Sequence, residues 1–264
     1  MSTLDYREFH RRRLPHIHPP GKTFFITYRL AGSIPKPVLN QYEEERKWLA
    51  QQLGEESKPR SPLPEAIKRT TEMQWESFRR QWFVKFEAIL DKAVTGPMWL
   101  QDQRLTKIIA DNLHYHHQKA YQLHAYCLMS NHVHVILTPF LSEAELQEGK
   151  DDTGHLLFFS AHPSLSKIMH SLKSYTAKRC NQLLNRQGAF WAEESFDHVI
   201  RAGKLEKSIE YVLQNPVKAG LVRDWQSWPW SYKQKCTTGG PPVDLQEQCT
   251  TGGPPVDRSE NHEN

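Results

Sequence analysis

The chain has 264 residues, 38% of them hydrophobic and 24% charged, with a formal net charge of +4 at pH 7. That length suits one main domain with appendages. A mean hydropathy of −0.69, no apolar run near the ~20 residues that cross a bilayer and no hydrophobic leader argue for a cytoplasmic protein without a membrane partner. Four cysteines, Cys127, Cys180, Cys236 and Cys249, show no paired spacing, so neither a disulfide framework nor a zinc site is expected.

In chain order, Arg11 to Pro20 is a basic arm stiffened by proline, and Arg12 and Arg13 are candidates for contacting a nucleic-acid backbone. Thr23 to Leu30, rich in β-branched and aromatic residues, reads as the first strand. Residues 35–98 read as an insertion of one or two helices joined by a proline-rich loop. In it Trp75, Phe78, Trp82 and Phe86 follow helical spacing and are expected to pack rather than stack on bases. A helix from about Asp102 to His116 carries Leu105, Ile108, Ile109 and Leu113 on one side, with His114, His116 and His117 expected at the surface. Leu123 to Leu128 and His132 to Thr138 read as strands joined tightly through Met129, Ser130 and Asn131. Leu141 to His155 reads as a loop. Ser164 caps a long helix with Leu165, Ile168, Met169 and Leu172 inward, while Lys167, Lys173, Lys178 and Arg179 project elsewhere as candidate DNA contacts. Phe196 to Arg201 reads as a further strand ending in another candidate DNA contact, Arg201, and Lys204 to Pro216 as a helix.

The tail repeats Cys-Thr-Thr-Gly-Gly-Pro-Pro-Val-Asp at 236–244 and 249–257, a composition that cannot build a core, so residues 236–264 are expected to be disordered beyond a single domain of residues 1–235. Five acidic side chains against Arg258 give this tail a charge of −4, which leaves +8 on residues 1–235 and makes an acidic polymer a plausible partner.

Two constellations carry chemistry. In His132-Val133-His134-Val135-Ile136 the alternation of a strand places both imidazoles on one face, roughly 6.6 Å apart along the chain, and Val133, Val135 and Leu137 on the other. Two imidazoles on a rigid element make a bidentate metal grip. In the helix after Lys204, Leu205, Ile209, Val212 and Leu213 form the apolar stripe, and Tyr211 and Asn215 are neighbours one turn apart on another side. A phenol able to attack phosphorus thus sits beside an amide oxygen able to complete a metal shell.

The strand motif resembles the histidine, hydrophobic, histidine signature of the HUH nucleases. Glu210 to Val222 resembles the tyrosine helix of single-tyrosine transposases, particularly the REP-associated tyrosine transposase branch, whose asparagine matches Asn215. Leu172-Lys173-Ser174-Tyr175, Phe190-Trp191 and Phe196 to Arg201 match as well. The specificity rests on the ordered set, which spans roughly Arg12 to Tyr232.

The resemblance implies an α+β fold: a ferredoxin-like, RNA-recognition-motif-like antiparallel sheet with helices on one face. It also implies a reaction, metal-dependent cleavage and rejoining of single-stranded or hairpin DNA through a 5′-phosphotyrosine on Tyr211, which leaves a free 3′-hydroxyl. His132, His134 and Asn215 would hold Mg²⁺ or Mn²⁺, since an incomplete N/O shell leaves positions for phosphate oxygens. No small-molecule substrate is expected, and the protein would work as a monomer or homodimer. Tyr175, whose neighbour one turn on is Arg179, is the rival tyrosine, read as packing or DNA-contacting. The competing classes are an RNA-recognition module without catalysis, a domesticated DNA-binding protein and a metal-dependent hydrolase that uses water; a covalent DNA adduct separates the last from a transposase.

Overall fold

The computed structural model describes residues 9–11, 15–17, 21–54, 65–140, 147–150, 156–159 and 164–235. A small ribbon of β1 (Phe9–Arg11) and β2 (Pro15–Ile17) precedes β3 (Phe24–Leu30). Two long helices follow, α1 (Lys36–Gln52) and α2 (Glu65–Lys92), then α3 (Gln103–His116), β4 (Tyr121–Leu128) and β5 (His132–Pro139). The chain continues through the ribbon β6 (Gln147–Lys150) and β7 (Leu156–Phe159) to α4 (Leu165–Leu183), β8 (Trp191–Val199), α5 (Leu205–Leu213), the short α6 (Asn215–Lys218) and β9 (Ser231–Lys233). The main sheet is antiparallel, in the order β8-β3-β5-β4-β9. Without β9 this is the β-α-β-β-α-β ferredoxin-like arrangement formed by β3, α3, β4, β5, α4 and β8. The fold is therefore α+β, with β5 at the centre of the sheet.

The connecting helices start where the sequence offers caps: the Asp102 carboxylate accepts from Arg104 N, and Ser164 Oγ accepts from Lys167 N. Their apolar stripes, Leu105, Ile109 and Leu113 on α3 and Leu165, Ile168 and Leu172 on α4, pack with Ile26, Tyr28, Val133, Val135 and Leu137 in the larger core. The opposite face is covered too. There Phe25, Ala125, Cys127 and Ile136 pack with Ile209, Val212 and Leu213 of α5.

The α1 and α2 helices form the expected insertion between β3 and α3. Tyr42 of α1 meets Phe78, Trp82 and Phe86 of α2 ring to ring, and the Trp82 indole donates to Glu45 Oε2 at 2.9 Å. The ends of the insertion touch: at Gly96 (φ 81°) a Cβ would collide with the Gly32 carbonyl oxygen, so both the conformation and the close approach require glycine. Phe83 and Phe86 contact Phe196 of β8, and Asn131 Nδ2 donates to Leu90 O at 3.2 Å. These contacts lay the end of α2 across the sheet face that carries the histidines.

Several local expectations change. The segment read as a loop at 141–155 contributes β6, paired register by register with β7; Gln147 to Lys150 has no apolar alternation to announce a strand. The strand expected from Phe196 begins at Trp191, because an irregularity in its pairing with β3 between Tyr28 and Leu30 hides the alternation. His117 is buried rather than at the surface, its Nδ1 accepting from Leu123 N at 3.1 Å. Cys127 and Cys180 are buried free thiols. Among the described residues no helix is long and apolar enough to cross a membrane. The repeat at 236–264 and the arm residues Arg12 and Arg13 lie outside the described residues.

Candidate functional site

His132 and His134 occupy the central strand and are fully buried. Their cross-strand neighbours on β3 are Arg29 and Thr27, and on β4 Cys127 lies opposite His134. Each ring has its Nδ1 anchored. His132 Nδ1 lies 2.7 Å from Asn131 Oδ1, an atom that can only accept, so this nitrogen carries the proton and Nε2 keeps its lone pair. His134 Nδ1 lies 2.8 Å from Thr27 Oγ1. Burial keeps both rings neutral, pushing His132 down to about 3 and His134 well below the ordinary imidazole value.

The two Nε2 atoms are 2.9 Å apart. Donors at right angles on an ion with bonds of about 2.1 Å lie about 3.0 Å apart, so the pair is spaced as neighbouring ligands of one cation. A third donor comes from α2. Glu87 Oε2 is 3.5 Å from His134 Nε2, and Glu87, His132 and His134 each place a ligand atom within 4.8 Å of the others, all three buried. Burial, and then the neighbouring Asp91, raise the Glu87 carboxyl to about 8. A buried carboxylate beside two neutral imidazoles is a costly arrangement alone and a fitting one around a divalent ion.

Tyr211 reaches this centre from α5. Its hydroxyl donates to Glu87 Oε2 at 3.2 Å, its ring meets Phe25 edge-on at 5.8 Å, and Lys218 Nζ sits 3.6 Å from the ring centroid. Burial, then the Glu87 carboxylate, hold the phenol well above its ordinary value, so it is protonated at neutral pH. Asn215 heads α6 with Nδ2 donating to Tyr211 O and Val212 O at 3.0 and 3.1 Å. Among the described residues its buried Oδ1 has no hydrogen-bond partner, the acceptor it would offer to a cation.

The structure thus gathers His132, His134 and Tyr211 around Glu87, with Asn215 one turn beyond Tyr211. It does not bring the cations of α4 to the same place. Lys167 and Lys173 line a cavity of about 630 Å³ with Trp191 and Asp197, between α4 and β8 on the other side of the sheet, and Lys173 Nζ donates to Glu193 O at 2.8 Å. Arg201 pairs with Glu76 at 3.5 Å. Tyr175, 51% exposed on α4, is neither packed nor near the histidines, whereas Tyr211 is 37% exposed and bonded to the centre.

The reading of the sequence missed Glu87, Asp91, Thr27, Asn131 and Lys218. One signal was available: Glu87 and Asp91 continue the spacing of Phe83, beside the apolar stripe of Phe86 and Leu90, and carboxylates bordering such a stripe are expensive unless used.

No family model matches the chain. A curated Haemophilus influenzae protein assigned as a REP-associated tyrosine transposase is 23% identical over 108 residues, which is 40% of this chain and 56% of that protein. The match thus spans about half the length of the relative. Among solved structures, a REP-associated tyrosine transposase bound to a REP hairpin overlaps 82% of this chain and 79% of its own at 16% identity, with a TM-score of 0.37. In sequence, this chain is similar to the REP-associated tyrosine transposases.

Proposed function

We propose that the chain is a metal-dependent tyrosine nuclease and strand transferase acting on single-stranded, hairpin-bearing DNA in the cytoplasm, with residues 1–235 as one domain that carries 35–98 as an insertion. The observation that supports this best is the hydrogen bond from Tyr211 to Glu87, which links a candidate nucleophile directly to the buried Glu87, His132 and His134 group. His132, His134 and Glu87 would hold Mg²⁺ or Mn²⁺, with the Asn215 oxygen as a further donor. Bound there, a divalent cation neutralises charge building on the phosphodiester, worth several kcal/mol.

The chain's own groups supply the rest. Tyr211 Oη forms the bond to phosphorus, the bond from phosphorus to the 3′-oxygen breaks, and that oxygen leaves with its electron pair and takes a proton from solvent to become the free 3′-hydroxyl. The hydrogen bond to Glu87 gives the phenolic proton a path off Oη. Lys218 over the ring favours the phenolate and attracts the phosphate. The 5′-phosphotyrosine conserves the energy of the broken bond, so a later 3′-hydroxyl can reverse the step.

A recognition module of the RNA-binding kind needs an open sheet face with aromatic platforms. Here α3 and α4 cover one face while α5 and the end of α2 cover the other, which favours the nuclease reading. The test is incubation with labelled hairpin-bearing single strands and Mn²⁺, then a denaturing gel. A covalently shifted band with wild type that is missing with Tyr211→Phe is the expected result. Cleavage without any adduct would establish the water-using hydrolase instead.

A further inference from the structure

We infer that Asp91 is a further protein donor to the metal centre, beside Glu87, His132, His134 and the Asn215 oxygen, so that α2 supplies two carboxylates opposite the two histidines and the site selects Mn²⁺ over Mg²⁺. The inference rests on the metal reading of Glu87, His132 and His134 given above and extends it to a residue and a selectivity.

Glu87 and Asp91 are four apart on α2 and so point to one side of it. Each carboxylate faces one imidazole: Glu87 Oε2 is 3.5 Å from His134 Nε2, and Asp91 Oδ1 is 3.8 Å from His132 Nε2. The second distance is too long for a hydrogen bond. Among the described residues Asp91 Oδ1 is a buried oxygen with no hydrogen-bond partner.

The tautomer of His132 sharpens the point. Asn131 Nδ2 donates to Leu90 O, which fixes the amide so that its oxygen must take the proton of His132 Nδ1. The Nε2 of His132 therefore presents a lone pair toward the Asp91 oxygen. Two acceptors facing each other at 3.8 Å repel, and a cation between them turns that repulsion into two attractions. Three of the separations among these donors, 2.9, 3.5 and 3.8 Å, run from the roughly 3.0 Å of adjacent ligands toward the roughly 4.2 Å of opposite ligands on one six-coordinate ion. Lys218 interacts with both carboxylates across the site, and among the described residues the groups around Asp91 include His132, Glu87, Lys218, Tyr211 and Cys127.

Selectivity follows from the donor set. Mg²⁺ prefers an all-oxygen shell and keeps several waters, whereas two imidazole nitrogens with two carboxylates suit a borderline transition ion. With the Asn215 oxygen counted, five protein donors on a six-coordinate ion leave one position for phosphate or water. The ion would also clamp the insertion to the sheet, because α2 and β5 would share it.

The test uses the full chain, stripped with a chelator and titrated with MnCl₂, with free Mn²⁺ followed by electron paramagnetic resonance and the melting temperature recorded alongside. Wild type should bind one Mn²⁺ and melt higher with it, and MgCl₂ in large excess should fail to displace it. Asp91→Asn should melt like wild type without metal, bind Mn²⁺ at least about tenfold more weakly and lose most of the metal-induced rise. Should Asp91→Asn fail to fold, Asp91→Cys titrated with Cd²⁺ reads ligation directly: a thiolate-to-cadmium ultraviolet band exceeding that of wild type supports the inference, and its absence overturns it. Wild-type affinity in Asp91→Asn, with binding weakened in Glu87→Gln and His132→Ala, would overturn the role of Asp91 and leave the metal reading standing. Equal affinity of wild type for Mg²⁺ and Mn²⁺ overturns the selectivity, and no Mn²⁺ binding by wild type at millimolar concentration overturns both readings.

Discussion

On one face of the sheet, Val133, Val135 and Leu137 sink into the apolar core under α3 and α4; on the other, His132 and His134, each one position away along the same strand, meet Asp91 and Glu87, the latter bonded to Tyr211. The two imidazoles are buried as completely as the three apolar side chains. The difference is what the burial accomplishes. Apolar side chains gain from leaving water, whereas buried imidazoles and carboxylates lose solvation, and that loss is offset only by specific partners or by an ion. The two faces should therefore respond in opposite ways to substitution, one through stability and the other through chemistry.

The sharpest break between them is at the tyrosines. Tyr211→Phe keeps the ring and removes the attacking oxygen, so adduct formation should fall by a factor on the order of 10³ or more, with stability changed by at most about 1 kcal/mol from the lost hydrogen bond. Tyr175→Phe, on the α4 side, should still form the adduct. Denaturing gels on both variants check this, and an adduct that survives Tyr211→Phe but disappears with Tyr175→Phe would place the nucleophile on the wrong helix.

The converse test is Leu137→Ala. This fully buried side chain belongs to the α3 and α4 face, so its truncation should cost about 2–5 kcal/mol of unfolding free energy and leave Mn²⁺ affinity of the folded protein unchanged. Chemical denaturation and a metal titration measure the two. A large loss of metal affinity at unchanged stability would mean that the faces are not energetically separate.

A smaller effect concerns pH in the metal-free protein. Burial raises the Glu87 carboxyl from 4.5 to about 8, so the folded chain keeps a proton that the unfolded chain releases, and stability falls as pH rises from about 4.5 to 8. His132, lowered from 6.5 to about 3, acts the other way: stability rises with pH between about 3 and 6.5 and is level above. Asp91, raised from 3.8 to about 6, has no further influence above its own window. Between pH 6.5 and 8 the Glu87 slope remains, a loss of up to about 2 kcal/mol, and Glu87→Gln should flatten it. Denaturant melts in chelator at both pH values provide the comparison, and an unchanged slope in the variant would rule out Glu87 as its source.

The smallest expected effect is on the α4 side. Lys178→Gln with Arg179→Gln should weaken single-stranded DNA binding only a few-fold at about 0.1 M salt and make the slope of log affinity against log salt shallower by less than about one unit. Fluorescence anisotropy across a salt series measures both. Loss of all binding would move the DNA interface from the Tyr211 side of the sheet to the α4 side.

Much of the frame was legible in short-range patterns. The alternation through His132 to Leu137 assigns both faces of β5, and the stripe of Leu205, Ile209, Val212 and Leu213 orients α5 with Tyr211 away from the core, because side-chain direction within one element depends only on its local period. The spacing of Trp75, Phe78, Trp82 and Phe86 likewise identified the packed side of α2. None of this says which element lies against which. Glu87 is 45 residues before His132, and nothing in a 3.6-residue or two-residue period encodes that α2 crosses the sheet at the histidines. Tertiary packing decided it, through Phe83 and Phe86 against Phe196 and through Asn131 holding Leu90. The same packing separated the α4 cations from the centre, since the sequence shows that they are exposed but not on which side of a five-stranded sheet their helix docks. The residue types and their local facing came from the sequence; the third donor, and the reach of Tyr211 to it, came from long-range contacts that exist only once the chain has folded.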